Sequence, residues 1–167
     1  MTLEGPQRLH RLHRYRFVTV WDVPAPPERV YRVLADPRGY PLWWPEIREV
    51  RRIDAHSGRM RFRSLLPYEL AVTAHEVRQD PAAGVLEARL TGDLEGTTRW
   101  TVTTRGDGGA VAVFDEDVEV HRPLMRRLAV PGRPAFRVNH SLMMTNGRKG
   151  LTHYLAVCAH TGIGLDQ

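Results

Sequence analysis

The segment "RPAFRVNHSLMMTNGRKGLTHYLAV", residues 133–157, decides the fold. No proline interrupts it after Pro134. At helical periodicity one stripe collects Phe136, Asn139, His140, Met143, Gly147, Gly150, Leu151, Tyr154 and Cys158. The opposite side collects Ser141, Thr145, Arg148, Lys149 and Thr152. This spacing predicts a single long amphipathic helix of about 37 Å at the usual rise per residue. A ten-residue strand spans a similar distance, ~33 Å. One such helix therefore lies across the face of an entire sheet.

The preceding sequence supplies that sheet. "RYRFVTVWDV" is rich in β-formers and reads as a first strand. "PAPPERVYRVLAD" follows as a short helix: its prolines suit a helix start, and Val30, Val33 and Leu34 share one face. From Glu46 to Val120, "EIREVRRI", "RMRFRSLL", "YELAVTAHEV", "GVLEARL", "TTRWTVTT" and "AVAVFDEDVEV" read as strands. The turns between them, "HSG", Pro67, "DPAAG", "GDLEG" and "GDGG", are short enough for antiparallel hairpins. The total is about seven strands. In the last two, Trp100, Val102, Ala112, Phe114, Val118 and Val120 fall on one face, with Asp115, Asp117 and Glu119 on the other. "PLMRRLAV" reads as a further short helix. The class is α+β. A single helix cannot cover seven flat strands, so the sheet must curl around it and leave room between.

Composition bounds the function. At 167 residues, 42% apolar and 26% charged, the chain reads as one domain over 15–160, with a basic flexible arm over 1–14 and a tail over 161–167. Lys and Arg number 24 against 19 Asp and Glu, but they are scattered and form no basic stripe, which argues against nucleic acid. The arm has no apolar run after its charges and so does not read as a secretory signal. No stretch is long and apolar enough to span a bilayer. The lone Cys158 excludes an internal disulfide and suits a reducing cytoplasm. His10 and His13 lack further ligands, so no metal is expected, and no nucleotide, metalloprotease or serine-hydrolase motif implies a cofactor or a familiar triad.

"VPAPPERVYRVLADPRGYPLWWPEI", "GDLEGTTRW" and "FRVNHSLMMTNGRKGL" resemble the polyketide cyclase/dehydrase branch of the START-like (SRPBCC) superfamily. The resemblance covers roughly Tyr15 to Val157. It implies a helix-grip fold, a curved antiparallel sheet gripping the C-terminal helix around an apolar cavity, and a small hydrophobic ligand. It does not imply a reaction, because fold is a poor guide to chemistry. Two positions depart from the branch pattern: Thr98 stands where a glycine is frequent, and Glu116 where an aromatic is frequent.

Several residues bear on function. Glu116 alternates with Phe114 and Val118 and should face inward, either as a general acid or ligand contact, or paired with Arg89 or Arg99. Asn139 and His140 are polar residues on the apolar stripe. They either dock the helix or meet a ligand, with His140 a candidate acid/base. Trp100, Phe114, Met143 and Tyr154 would line the cavity or fill the core. Gly147 and Gly150 each cost about 1 kcal/mol in a helix interior, so they mark either close packing or space for a ligand. In "YPLWWPEI", residues 40–47, the flanking prolines should keep Trp43 and Trp44 out of helix and central strand. One tryptophan, with Trp44 the candidate contact, would plug the core or cavity mouth and the other would lie on the rim; alternatively both staple the short helices to the sheet.

The leading expectation is binding of a hydrophobic small molecule of polyketide, lipid or isoprenoid type. The alternatives are a cyclase/aromatase using Glu116 and His140, and lipid exchange in which the basic arm contacts an anionic membrane surface. Oligomeric state is left open by the sequence.

Overall fold

The computed structural model describes residues 13–63, 68–121 and 132–161. The segment 123–130, most of the N-terminal arm, and the tail beyond Thr161 lie outside the described residues.

Strand β1 is Arg14–Val23. Helix α1, Pro27–Ala35, follows with proline in its first turn, where a missing N–H is harmless. It buries Val30, Tyr31, Val33 and Leu34. A 3-10 turn at Pro37–Gly39 leads into α2, the single turn Tyr40–Trp43. The strands β2 Ile47–Arg52, β3 Ser57–Arg63, β4 Glu69–Asp80, β5 Val85–Gly92, β6 Leu94–Thr104 and β7 Ala110–Val120 come next. Helix α3, Arg133–Thr161, closes the chain. All strand pairs are antiparallel, in one seven-stranded sheet of order β1-β7-β6-β5-β4-β3-β2. This is the helix-grip arrangement. The segment with α1 and α2 carries the chain from one edge strand, β1, to the other, β2.

Curvature has local causes. The β2–β3 register shifts between Ile47 and Glu49, and the β4–β5 register shifts between Glu76 and Arg78. Each extra residue bends its strand. At the start of β6, Gly96 has φ +155°, and a Cβ there would run into the Asp117 carbonyl of β7. The "GDLEG" turn is further held by Asp93, whose carboxylate accepts from the Ala71 N–H (2.9 Å).

"PLWW" differs from expectation. Pro41 does not keep the segment out of a helix, because it sits in the first turn of α2. Neither tryptophan lies on a rim: Trp43 is 4% exposed and Trp44 6%. Both rings are sealed under α3, beside Trp21 and Tyr40. The two glycines of α3 make this fit. A Cβ at Gly147 would lie 2.6 Å from Cε2 of Trp44, and one at Gly150 would strike the Trp43 carbonyl. Bare backbone at Gly147 also leaves the preceding turn open, and Trp44 Nε1 donates to the Met143 carbonyl (3.1 Å). Two glycines sacrifice about 2 kcal/mol of helix propensity. Burying an indole of ~200 Å² returns up to about 5 kcal/mol, so the packing wins.

The buried side chains form two clusters. The larger joins Trp21, Leu34, Trp43, Trp44, Leu151 and Leu155 beneath α1 and α2. The smaller joins Tyr15, Val72, Leu90, Leu94, Val118 and Val120 at the opposite end of the sheet. Within α3 the buried residues are Met144, Gly147, Leu151, Leu155 and Cys158. Only Met144 and residues C-terminal to it are buried outright; Phe136, Asn139, His140 and Met143 are half-buried.

A glycine-to-alanine exchange in an ordinary helix gains about 1 kcal/mol. At Gly150 the opposite sign is expected, a loss of about 3 kcal/mol, because the obstacle is backbone. Gly147→Ala should cost less, since an indole can shift. Urea denaturation of the two variants measures this order; a gain at Gly150 would contradict the contact.

Candidate functional site

Between α3 and the sheet lies a cavity of about 500 Å³ with predominantly apolar walls. The strand register explains where it sits. Directly paired residues of antiparallel strands point to the same face. Phe17 pairs with Glu116, Glu116 with Thr98, and Thr98 with Ala88, which places these four in one row across β1, β7, β6 and β5. All four line the cavity. Thr98 and Ala88 are small, so the middle of the row is low. The neighbouring row carries Phe114, Trp100 and Leu86, which also line the cavity and give it an aromatic wall.

The helix supplies the facing wall through Phe136, Asn139, His140, Met143 and Met144, and α2 is followed by Trp44 at its edge. Seven of the nine residues picked from sequence therefore share this cavity: Trp44, Trp100, Phe114, Glu116, Asn139, His140 and Met143. Two do not line it. Gly147 is covered by the Trp44 ring, and the space above it belongs to that indole and not to a ligand. Tyr154 packs against the larger apolar cluster, where burial, and then Cys158 beside it, push its phenol up from the ordinary value.

Glu116 and His140 meet. The Nε2 of His140 lies 3.1 Å from Oε2 of Glu116, and both side chains are largely buried, at 17% and 12% exposure. The oxygen lies off the direction of the ring N–H, so the approach is electrostatic and not a directed hydrogen bond. It becomes a full ion pair only when the imidazole is protonated. The other imidazole face is occupied: Phe17 stacks on it with ring centroids 3.8 Å apart and planes 9° from parallel. Of the two arginines expected as alternative partners for Glu116, Arg99 is engaged with Glu87 at 2.9 Å, and Arg89 falls in the row of Thr97 and Asp117, on the other face of the sheet. Asp117, one residue on, points outward to Arg14 at 2.6 Å, which holds its carboxyl below the usual value. The inward turn of Glu116 thus follows the plain alternation of β7.

Asn139, next in sequence to His140, is a further polar side chain of the lining. Its amide nitrogen reaches only the Met143 sulfur, at 3.8 Å, and its buried Oδ1 has no hydrogen-bond partner. Sequence reasoning missed Phe17 and the small pair Thr98 and Ala88 as wall residues. The alternation of β1, which puts Phe17 on the same face as the deeply buried Trp21, carried the signal for the first. It also missed Glu46, which is buried at 8% and held by Asn146 Nδ2 at 2.7 Å. Among the described residues no cluster of His, Cys, Asp and Glu is suited to a metal. No helix among them is long and apolar enough to cross a membrane.

The family model described as polyketide cyclase / dehydrase and lipid transport matches residues 14–147. The chain belongs to this family. Among solved structures, this polyketide cyclase/dehydrase-family chain is similar to the Zhui aromatase/cyclase of a Streptomyces species, at 16% identity and TM-score 0.74, over 91% of this chain and 99% of that one. It is similar also to a START superfamily protein of Mycobacterium smegmatis, at 21% identity and TM-score 0.66, over 84% and 97%. The di-domain ARO/CYC BexL matches at 15% identity and TM-score 0.64, over 85% of this chain and 50% of that one. At these identities the likeness is one of fold. A comparison with curated protein sequences finds no match.

The Glu116–His140 approach gives a checkable energy. In a double-mutant cycle with Glu116→Gln and His140→Gln, read by denaturation, the pair should couple by about 1 kcal/mol or more. The exposed Arg99–Glu87 pair should couple by no more than about 0.5 kcal/mol. Equal, negligible coupling at both sites would contradict the buried pairing.

Proposed function

We propose that this protein binds a small hydrophobic molecule in the cavity between α3 and the sheet. The observation that carries the reading is the cavity itself: about 500 Å³, apolar over most of its wall, with Glu116 and His140 close together among its polar side chains. Ligand sites of soluble proteins have this size and this ratio of apolar to polar lining. The family assignment supports the same reading. Polyketide, lipid and isoprenoid ligands all fit the chemistry.

A second reading, a cyclase or aromatase, is favoured by one specific feature. A carboxylate and an imidazole stand 3.1 Å apart on the cavity wall, which is the arrangement general acid–base chemistry needs. On a poly-β-ketone held in a folded conformation, such a pair could take a proton from a methylene between two carbonyls, so that this carbon adds to a second ketone carbonyl, and then protonate the resulting hydroxyl, which departs as water as an adjacent C–H proton is lost. The family description, polyketide cyclase / dehydrase and lipid transport, supports the substrate class of this reading.

Native mass spectrometry of the purified chain, followed by organic extraction, should reveal a co-purifying hydrophobic molecule. Ala88→Trp, which builds an indole into the low middle of the wall, should remove it while the protein stays folded. Retention of the same molecule by Ala88→Trp would place the ligand elsewhere. For the enzyme reading, Glu116→Gln or His140→Ala should lower turnover of an aromatisable poly-β-ketone by about 100-fold or more. Turnover that survives both would remove these residues from the chemistry.

A further inference from the structure

We infer that the cleft between the start of β1 and the first turns of α3 is a binding site for a phosphate monoester group. It lies outside the cavity and does not rest on the ligand-binding reading above.

The cleft, of about 370 Å³, is lined by Arg14, Arg16, Arg133 and Arg137, with Tyr15, Phe17 and Asp117. Two elements from opposite ends of the chain thus bring four guanidinium groups to one concave place. Two of the four are committed. Arg14 Nε donates to Asp117 at 2.6 Å. Arg133 donates to the Arg14 carbonyl at 3.1 Å, with its guanidinium 5.5 Å from the centre of the Tyr15 ring. These contacts fix the walls. Arg16 and Arg137 are exposed, and among the described residues neither has a hydrogen-bond or ion-pair partner. Burial pushes the Tyr15 phenol up, and Arg133 and Arg137 both oppose it, so both cations lie close to that hydroxyl.

Charge balance sets the guest. Against the four guanidinium groups stand two carboxylates, Asp117 in the cleft and Glu119 beside Arg14, which leaves two positive charges in excess. A phosphate monoester carries a charge of about −1.5 to −2 at neutral pH, and its three oxygens accept paired N–H groups from guanidinium forks. The open edge of β1 adds a backbone donor. The His13 carbonyl accepts from the Val120 N–H, so odd-numbered residues turn their backbone to β7, while the Arg14 carbonyl turns to α3. By that alternation the Arg16 N–H also points to the open side. Stabilisation of the helix does not explain the arginines. Arg133 and Arg137 stand in the first two turns of α3, at the end where the helix dipole repels cations, and no acidic residue accompanies them in the first turn.

Tyr15 and Phe17 belong to the walls of both cleft and cavity. The phosphate is therefore one end of a cavity guest or part of a separate molecule, and the same groups recognise it in both cases.

Inorganic phosphate and n-octyl phosphate are titrated into the full chain by calorimetry at pH 7 and constant ionic strength. We expect both to bind. Arg16→Gln and Arg137→Gln should each weaken both by about tenfold or more. Arg59→Gln, which removes one exposed cation from β3 at the far side of the sheet, should change them by less than about twofold. A further gain of about tenfold for octyl phosphate, abolished in Ala88→Trp, assigns the phosphate to a cavity guest. No gain, or a gain untouched by Ala88→Trp, assigns it to a molecule outside the cavity. Absence of saturable binding of both probes to the unmodified chain overturns the inference, and so does equal weakening by Arg59→Gln. Binding to phosphatidylserine vesicles without binding to either probe makes the cleft a membrane contact and overturns it as well. None of these failures touches the cavity reading, which is tested by the co-purifying molecule.

Discussion

The backbone of α3 rests directly on Trp43 and Trp44, and that contact sets where the helix stands relative to the sheet. At Gly147 no side chain separates helix from the Trp44 indole, and at Gly150 none separates it from the Trp43 backbone. From there toward the C-terminus, Leu151 and Leu155 are fully sunk in the larger cluster. The N-terminal half touches the sheet at the β1 side, where Phe136 packs edge-on against Tyr15 and His140 stacks on Phe17. Its inward residues are half-buried, and they look across a gap at a row of the sheet whose middle members, Thr98 and Ala88, are small. A rigid helix seated on Trp43 and Trp44 at one end and on β1 at the other leaves a cavity over the low rows between. Both halves of that statement are written in side-chain size: glycine where contact is needed, threonine and alanine where it is avoided.

The same arrangement gathers the polar groups. Helical spacing puts Asn139 and His140 near the N-terminal end of α3, and strand register puts Glu116 opposite Phe17, which in turn stacks on His140. The imidazole is thus fixed by an aromatic face and a carboxylate together. Fixed geometry in a half-dry site is what makes a few polar atoms discriminating, because each unmet hydrogen bond is felt there more than in water. On either proposed reading, binding or proton transfer, these are the polar groups nearest the guest.

Much of this was legible in the sequence. Period-two alternation placed Trp100, Phe114 and Glu116 inward, and the observed β7 follows it without a break. β1 matches the stretch read as the first strand, and the long helix runs four residues past its expected end, to Thr161. Two kinds of information were not legible. Periodicity gives the face of a helix but not which part of it touches its neighbour. For Gly147 and Tyr154 the sequence therefore left cavity and packed core both open, and the structure puts one under an indole and the other in the core. Proline rules misled at "YPLWWP", because Pro41 at the start of a turn permits the helix it would break from within. The partner of Glu116 was likewise beyond reach, since it depends on how far β7 and α3 stand apart.

The central claim is a void between α3 and the sheet that accepts an apolar guest. The most direct measurement is a crystal structure of the protein under xenon pressure, because xenon enters apolar cavities without needing any particular functional group. The account predicts xenon density bounded by Trp100, Phe114, Thr98 and Met143. Side chains packed solidly through that space, with no density there, would contradict it.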